Sequence, residues 1–205
     1  KEEDLFYSYG ISADLISDIS SAGRIRVESL GTIEKIENYH VYKNQEMGEK
    51  LSVRYVVTGT LWKMKKIFQL SIELYDTKKS KILWSDRWEE KWINLTLIKS
   101  KLSDGLLKAL DINQLGVPKE ESSNIKAYEY YLKSKYKYDK RKNIEDINIA
   151  RGLINKAIDL DESLLKAYLL LSLMHINESQ YDHAIKTLNK LLSLTDKTDF
   201  IQEMS

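Results

Sequence analysis

Two hydrophobic periodicities divide this chain. From Phe68 to Leu74 apolar and polar residues alternate strictly, Phe68, Leu70, Ile72 and Leu74 against Gln69, Ser71 and Glu73, the period of a strand with one buried face. Tyr55 to Lys63, before it, is rich in Val, Thr and aromatic residues, as strands are. A third run carries Ile82, Trp84 and Trp88. With turns near Met64–Lys66 and Thr77–Ser80, Tyr55 to Trp92 reads as a three-strand meander. From Ser123 onward the spacing is helical without interruption.

Helical patterns flank the meander. Residues 8 to 22 put Ile11, Leu15, Ile16 and Ile19 on one face, with Ser12 as cap and Asp14 in the first turn. Gly23 ends that helix, Arg24 to Ser29 alternates as a short strand, and Gly31 breaks it. A short helix is expected over Gln45–Leu51. Another runs from an Asn94 cap to Leu110, with Ile98, Leu102, Leu106 and Ala109 inward. Residues 1–113 therefore predict an α+β domain, helices on a mixed sheet with a three-strand meander. Leu115 to Pro118 holds the only proline, placing a linker at 114–122. Residues 123–205 predict an all-α domain of helical repeats, two units and a stub. Four helical positions, Lys166, Leu169, Leu173 and Asn177, fall on one face of a helix there.

Composition narrows the chemistry. The 205 residues carry 32 basic and 31 acidic side chains, and the balance holds in both halves, 18 and 17 through Leu115, then 14 and 14. A nucleic-acid-binding domain usually shows a basic excess, so nucleic acid is not an expected partner. Without cysteine there are no disulfides, thiolate nucleophiles or cysteine-ligated zinc. That suits either side of a bacterial membrane. The longest apolar run, Ala167 to Leu171, is too short to span a bilayer, so any membrane anchor lies outside this sequence.

No residue set predicts an active site, a metal or a cofactor. His175 falls on a core position of a helix, His183 on the next helix and His40 in a loop, and none pair at metal-ligand spacing on one helix. Glu89–Glu90 and Glu120–Glu121 are neighbours that point apart, unlike a catalytic dyad. The strongest electrostatic feature is the stretch 133–142, with Lys133, Lys135, Lys137, Lys140, Arg141 and Lys142 against one acid. It reads either as an anion, lipid-headgroup or nucleic-acid contact or as a solvated face whose tyrosines pack on the next helix. The four tryptophans read as sheet–helix core at Trp84, with Trp62, Trp88 and Trp92 partly exposed beside the second domain.

The order YGISADLISDIS, LSVRYVVTGTLWK, LYDTKKSKILWSDRW resembles the TolB amino-terminal-like domain over residues 5 to 112. The matching positions are Gly10-Ile11-Ser12 with Leu15, Ser52 to Val56 with Gly59, and Leu83-Trp84 with Arg87-Trp88. Ser52, Lys65 and Ser80 stand where that family has glycine, and the apolar strand that precedes its first helix is not seen, as in a truncated start. Leu165 to Thr198 resembles one 34-residue tetratricopeptide unit, with Tyr168, Leu171, Ser172 and His175 on its signature positions. An earlier unit ends with Ala150, Ile154 and Ala157. A third is expected to begin at Asp196.

The resemblance implies the sensor or scaffold region of a larger bacterial signalling protein, not itself an enzyme. Such regions accompany nucleotide cyclases, kinases or winged-helix regulators, often after a membrane span that places them outside the cytoplasm. A cytoplasmic location stays open, as does oligomerisation. A protein or peptide partner would lie along Lys166, Leu169, Leu173 and Asn177, in the groove lined by the first helix of each unit. The alternative role is a stand-alone adaptor in an envelope complex.

Overall fold

The computed structural model describes residues 2–23, 25–112 and 124–203. The chain divides into two compact units, Lys1–Lys119 and Glu120–Ser205. The expected linker at 114–122 and the pair Glu120–Glu121 lie outside the described residues.

The first unit contains helices α1 (Glu2–Ser21), α2 (Leu30–Glu34), α3 (Asn44–Leu51) and α4 (Leu95–Ala109), and strands β1 (Tyr55–Met64), β2 (Ile67–Asp76) and β3 (Lys81–Lys91). The strands form one antiparallel sheet in the order β1-β2-β3. Alternation on β2 decides its covered face: Phe68, Leu70, Ile72 and Leu74 are all buried, each apolar side chain contributing roughly 2 kcal/mol. Trp88 and Trp84 lie opposite Leu70 and Leu74 in the ladder, so they share that face, each half-buried. Helix α4 covers it with Leu95, Ile98, Leu102 and Leu106. Gly105 lets α4 come down on Trp84, since a Cβ there would sit 2.5 Å from the indole.

Trp92 is buried, not exposed beside the second unit as its sequence position suggests. Its N–H reaches Lys66 O at 2.7 Å, carrying the ring back beneath the sheet. There it meets Phe68 edge-on at 5.6 Å and Tyr7 at 4.6 Å, and the Lys63 ammonium caps it at 3.7 Å. Trp62, by contrast, is 63% exposed on the outer face.

Several local expectations fail, some to distant contacts and some to competing local ones. Helix α1 begins at Glu2 because Tyr7 extends its apolar face into the core. That leaves Ser12 in the helix interior and Asp14, expected in an exposed first turn, fully buried. Residues 25–29 form no strand. Instead Ser29 caps α2, its Oγ accepting from Thr32 N at 3.1 Å, and Gly31 lies inside that helix. Asn94 holds the N-cap position of α4 as expected, but its side chain donates to Glu90 at 2.9 Å instead of accepting from the first turn, and the helix is entered through a 3-10 turn at Trp92–Asn94.

Asp76 closes the end of the sheet. It is fully buried and accepts from Arg54 Nη2 at 3.0 Å and from the Lys78 and Lys79 N–H groups at 2.9 and 3.1 Å. One carboxylate thus holds the β2–β3 turn against the residue entering β1. The Arg54 hydrogen bond, with help from those N–H groups, outweighs burial and holds the carboxyl below the usual carboxylate range.

The second unit is two helical hairpins, α5 (Ile125–Asp139) with α6 (Ile144–Leu160) and α7 (Leu165–Asn177) with α8 (Tyr181–Glu203). Small residues set the crossing: Ala127, Ser134, Ala150, Ala157 and Ala167 are completely buried, so the backbones approach until Ser134 Oγ donates to Ala150 O at 2.7 Å. Ile154 and Met174 fill the space beside them. The third unit expected from Asp196 does not start there. Residues 192–199 contain no glycine or proline, and α8 runs through them to Glu203.

Two predictions follow from strain and charge in the first unit. Ser52, Lys65 and Ser80 have φ of 53°, 55° and 50°, left-handed values that cost a Cβ-bearing residue about 1 kcal/mol. Lys65→Gly and Ser80→Gly should each raise stability by roughly 0.5–1 kcal/mol in urea titrations followed by tryptophan fluorescence. The depressed pKa of Asp76 means that its contribution is fully present above the unfolded carboxylate pKa and is lost as pH falls through the folded value. Asp76→Asn should therefore lower the urea midpoint at neutral pH and flatten its acid limb towards about pH 3.

Candidate functional site

Helix α7 carries Lys166, Leu169, Leu173 and Asn177 at intervals of three, four and four residues, one stripe on a 3.6-residue helix. The opposite side of α7 is the buried one, with Ala167, Tyr168, Leu170 and Met174. Leu169 and Leu173 are 51% and 47% exposed, and Ile176, beside them, is 43% exposed. The stripe ends at Asn177, whose Nδ2 donates to Tyr138 OH on α5 at 2.8 Å, so its lower end is tied to the preceding hairpin. Lys166 is half-buried at the upper end. The arrangement is an apolar ledge between a cation and an amide.

The basic stretch is dispersed. On α5, Lys133, Lys137 and Lys140 share one side while Lys135 lies on the other. Lys135 sits 3.9 Å from Asp139 and Lys137 2.7 Å from Asp146. Arg141 lies over the Tyr138 ring at 4.1 Å and donates to Tyr138 O at 2.7 Å. The Lys142 N–H completes the Asp146 contact at 2.8 Å. Asp146 is thus a joint between α5 and α6, and its carboxyl is held below the usual range first by Lys137 and then by the Lys142 N–H. Of the six basic residues, only Lys140, Arg141 and Lys142 are in the exposed class.

Three arrangements in these units could not be read from local spacing. His175 and His183 face each other across the α7–α8 turn with ring centroids 5.3 Å apart, and His175 Nδ1 lies 2.8 Å from Gln180 Oε1. An eight-residue separation spanning a helical hairpin is the sequence signal for such a pair. Arg151 on α6 pairs with Glu178 at the end of α7, leaving Arg151 Nε and Glu178 Oε1 buried without a hydrogen-bond partner. In the first unit, Asp18 on α1 takes both Lys99 and Ser103 of α4, the hydroxyl at 2.8 Å. Glu89 and Glu90 do point apart, to Gln69 and to Asn94. Among the described residues no three His, Asp or Glu side chains gather as metal ligands, and no helix is long and apolar enough to cross a membrane.

No protein-family model matches the chain, and no curated protein matches it in sequence.

The neutralisation inside the basic stretch has a measurable consequence. Lys137→Ala should raise the Asp146 pKa towards the ordinary carboxylate value, read by NMR titration of the side-chain carboxyl. The second unit should lose stability at neutral pH, a difference that disappears as pH falls through the folded Asp146 pKa.

Proposed function

We propose that this chain is a non-enzymatic sensor or scaffold region of a larger bacterial signalling protein. In this reading a TolB amino-terminal-like unit precedes tetratricopeptide-like hairpins, and a protein or peptide partner docks on α7. Its docking shifts the arrangement of the units and so informs an attached output domain. The reading puts the region on the extracytoplasmic side of a membrane anchor that lies elsewhere in the protein.

The observation that carries it is the α7 ledge. Leu169, Leu173 and Ile176 form a row of half-exposed apolar side chains on a helix whose other side is fully buried. Apolar side chains set i, i+4 and i+7 along a helix are what an extended segment or an amphipathic helix needs for anchorage, and Lys166 and Asn177 add polar contacts at the two ends. A stand-alone adaptor of an envelope complex would use the same ledge; an output domain encoded in the same gene favours the signalling role.

A display library of random peptides selected on the intact chain tests the reading. Enriched peptides should bind at least tenfold more weakly to the Leu169→Glu and Leu173→Glu variants, about 1.4 kcal/mol or more. Circular dichroism should be unchanged, because both side chains are half in solvent. Peptides that bind these variants as tightly as the parent would remove α7 as the docking surface.

A further inference from the structure

Both outer strands of the sheet have one unpaired edge among the described residues, and they differ in charge. Strand β3 carries Lys81, Asp86, Arg87, Glu89, Glu90 and Lys91, the kind of charged edge that resists strand addition. Strand β1, Tyr-Val-Val-Thr-Gly-Thr-Leu-Trp-Lys-Met, has Lys63 alone. That ammonium is turned away from the edge, 3.1 Å from Tyr7 OH and over the Trp92 ring. Residues 57–60 in the middle of β1 are all exposed, and Val57, on the covered face of the sheet, is 45% exposed.

The hydrogen-bond phase of that edge is fixed. Thr77 N donates to Arg54 O at 2.8 Å, and a two-residue turn joins Met64 to Ile67. Even-numbered residues of β1 therefore bond to β2, and Tyr55, Val57, Gly59, Leu61 and Lys63 direct their N–H and C=O groups outward.

We propose that two copies of this chain associate through β1, antiparallel about a two-fold axis at Gly59, making one continuous sheet. A two-fold axis normal to the sheet keeps the covered faces on one side, which requires outward-bonding residues to oppose one another. Centred on Gly59, the register sets Val57 against Leu61, Tyr55 against Lys63, Val56 against Trp62 and Thr58 against Thr60 of the second copy. Three of these are apolar, β-branched–aromatic and Thr–Thr pairs, each favourable across strands; Tyr55 meets the methylene stem of Lys63, and no like charges are opposed. Centring on Thr60 would instead set Lys63 against Val57 and Trp62 against Thr58. The half-covered Val57 and Leu61 would gain cover from each other.

Sedimentation of the intact chain over a dilution series, with two sets of variants, tests the proposal. The parent should approach twice its 23.9 kDa mass at high concentration. Val57→Pro removes only an outward N–H, so it should weaken association at least tenfold while keeping the β1–β2 ladder. Because the chain has no cysteine, engineered thiols report the register independently. Thr58 and Thr60 of opposing copies form a non-hydrogen-bonded pair with Cα atoms about 4.5 Å apart, within disulfide reach. A mixture of Thr58→Cys and Thr60→Cys chains should cross-link at least tenfold faster than either variant alone. A parent that stays at the single-copy mass at every concentration would overturn the proposal, as would a dimer indifferent to Val57→Pro, or a mixture that cross-links no faster than its components.

Discussion

A sheet of three strands has one interior strand, and the first unit is arranged around which side of that strand is apolar. Phe68, Leu70, Ile72 and Leu74 put every buried side chain of β2 on one face. Pairing then places Trp84 and Trp88 on it by register alone. Helix α4 must lie over that face, and it can do so only because Gly105 leaves room for the Trp84 indole. Trp92 turns under the end of the same face and takes Tyr7 of α1 with it. A one-residue slip of β2 would send all of these side chains to the solvent side together.

The second unit solves a different packing problem. Helices joined by short turns need close backbones before their larger side chains can meet, and the buried alanines together with Ser134 supply that closeness. Each hairpin contacts its neighbour in chain order, and among the described residues none lies beyond α8. The result is visible on α7 and α8, where Leu169, Leu173, Ile176, Ile185 and Leu192 are each more than two-fifths exposed. The exposed row on α7 needs no special device: it is an apolar face that the described helices leave uncovered.

How much of this was legible follows from the range of each interaction. The alternation on β2, the meander and the four long helices of the second unit depend on periodicity, which one sequence displays. So did the turns at Ser52, Lys65 and Ser80, whose positive φ falls where the family resemblance marks glycine. The start of α1 and the place of Trp92 depend on segments distant in the chain, Tyr7 meeting both Lys63 and Trp92, and local spacing carries no record of them; at 25–29 the Ser29 cap on α2 displaces the short strand. Asp14 shows the limit most clearly: its position suits a first-turn acid, yet the helix extends past it and buries it. On α7, spacing located the stripe but not its exposure. The basic stretch suffered the reverse error: Lys135 meets Asp139 one turn on along α5, which spacing does display, but the pairing of Lys137 with Asp146 needs the α5–α6 turn to form.

Three part-buried ion pairs share one placement. Asp76 with Arg54 joins the β2–β3 turn to the entry of β1, Asp18 with Lys99 joins α1 to α4, and Arg151 with Glu178 joins α6 to the end of α7. Each pair spans two elements brought together by folding, and none links neighbours on a single helix. Desolvation offsets most of the attraction in such pairs, so apolar packing would hold these junctions as firmly. Apolar packing, however, tolerates sliding, while a carboxylate that takes a guanidinium and two turn N–H groups, as Asp76 does, accepts one geometry. Removing one partner strands the other in a dry site, and a displaced junction does the same. The pairs therefore fix where elements meet more than how strongly.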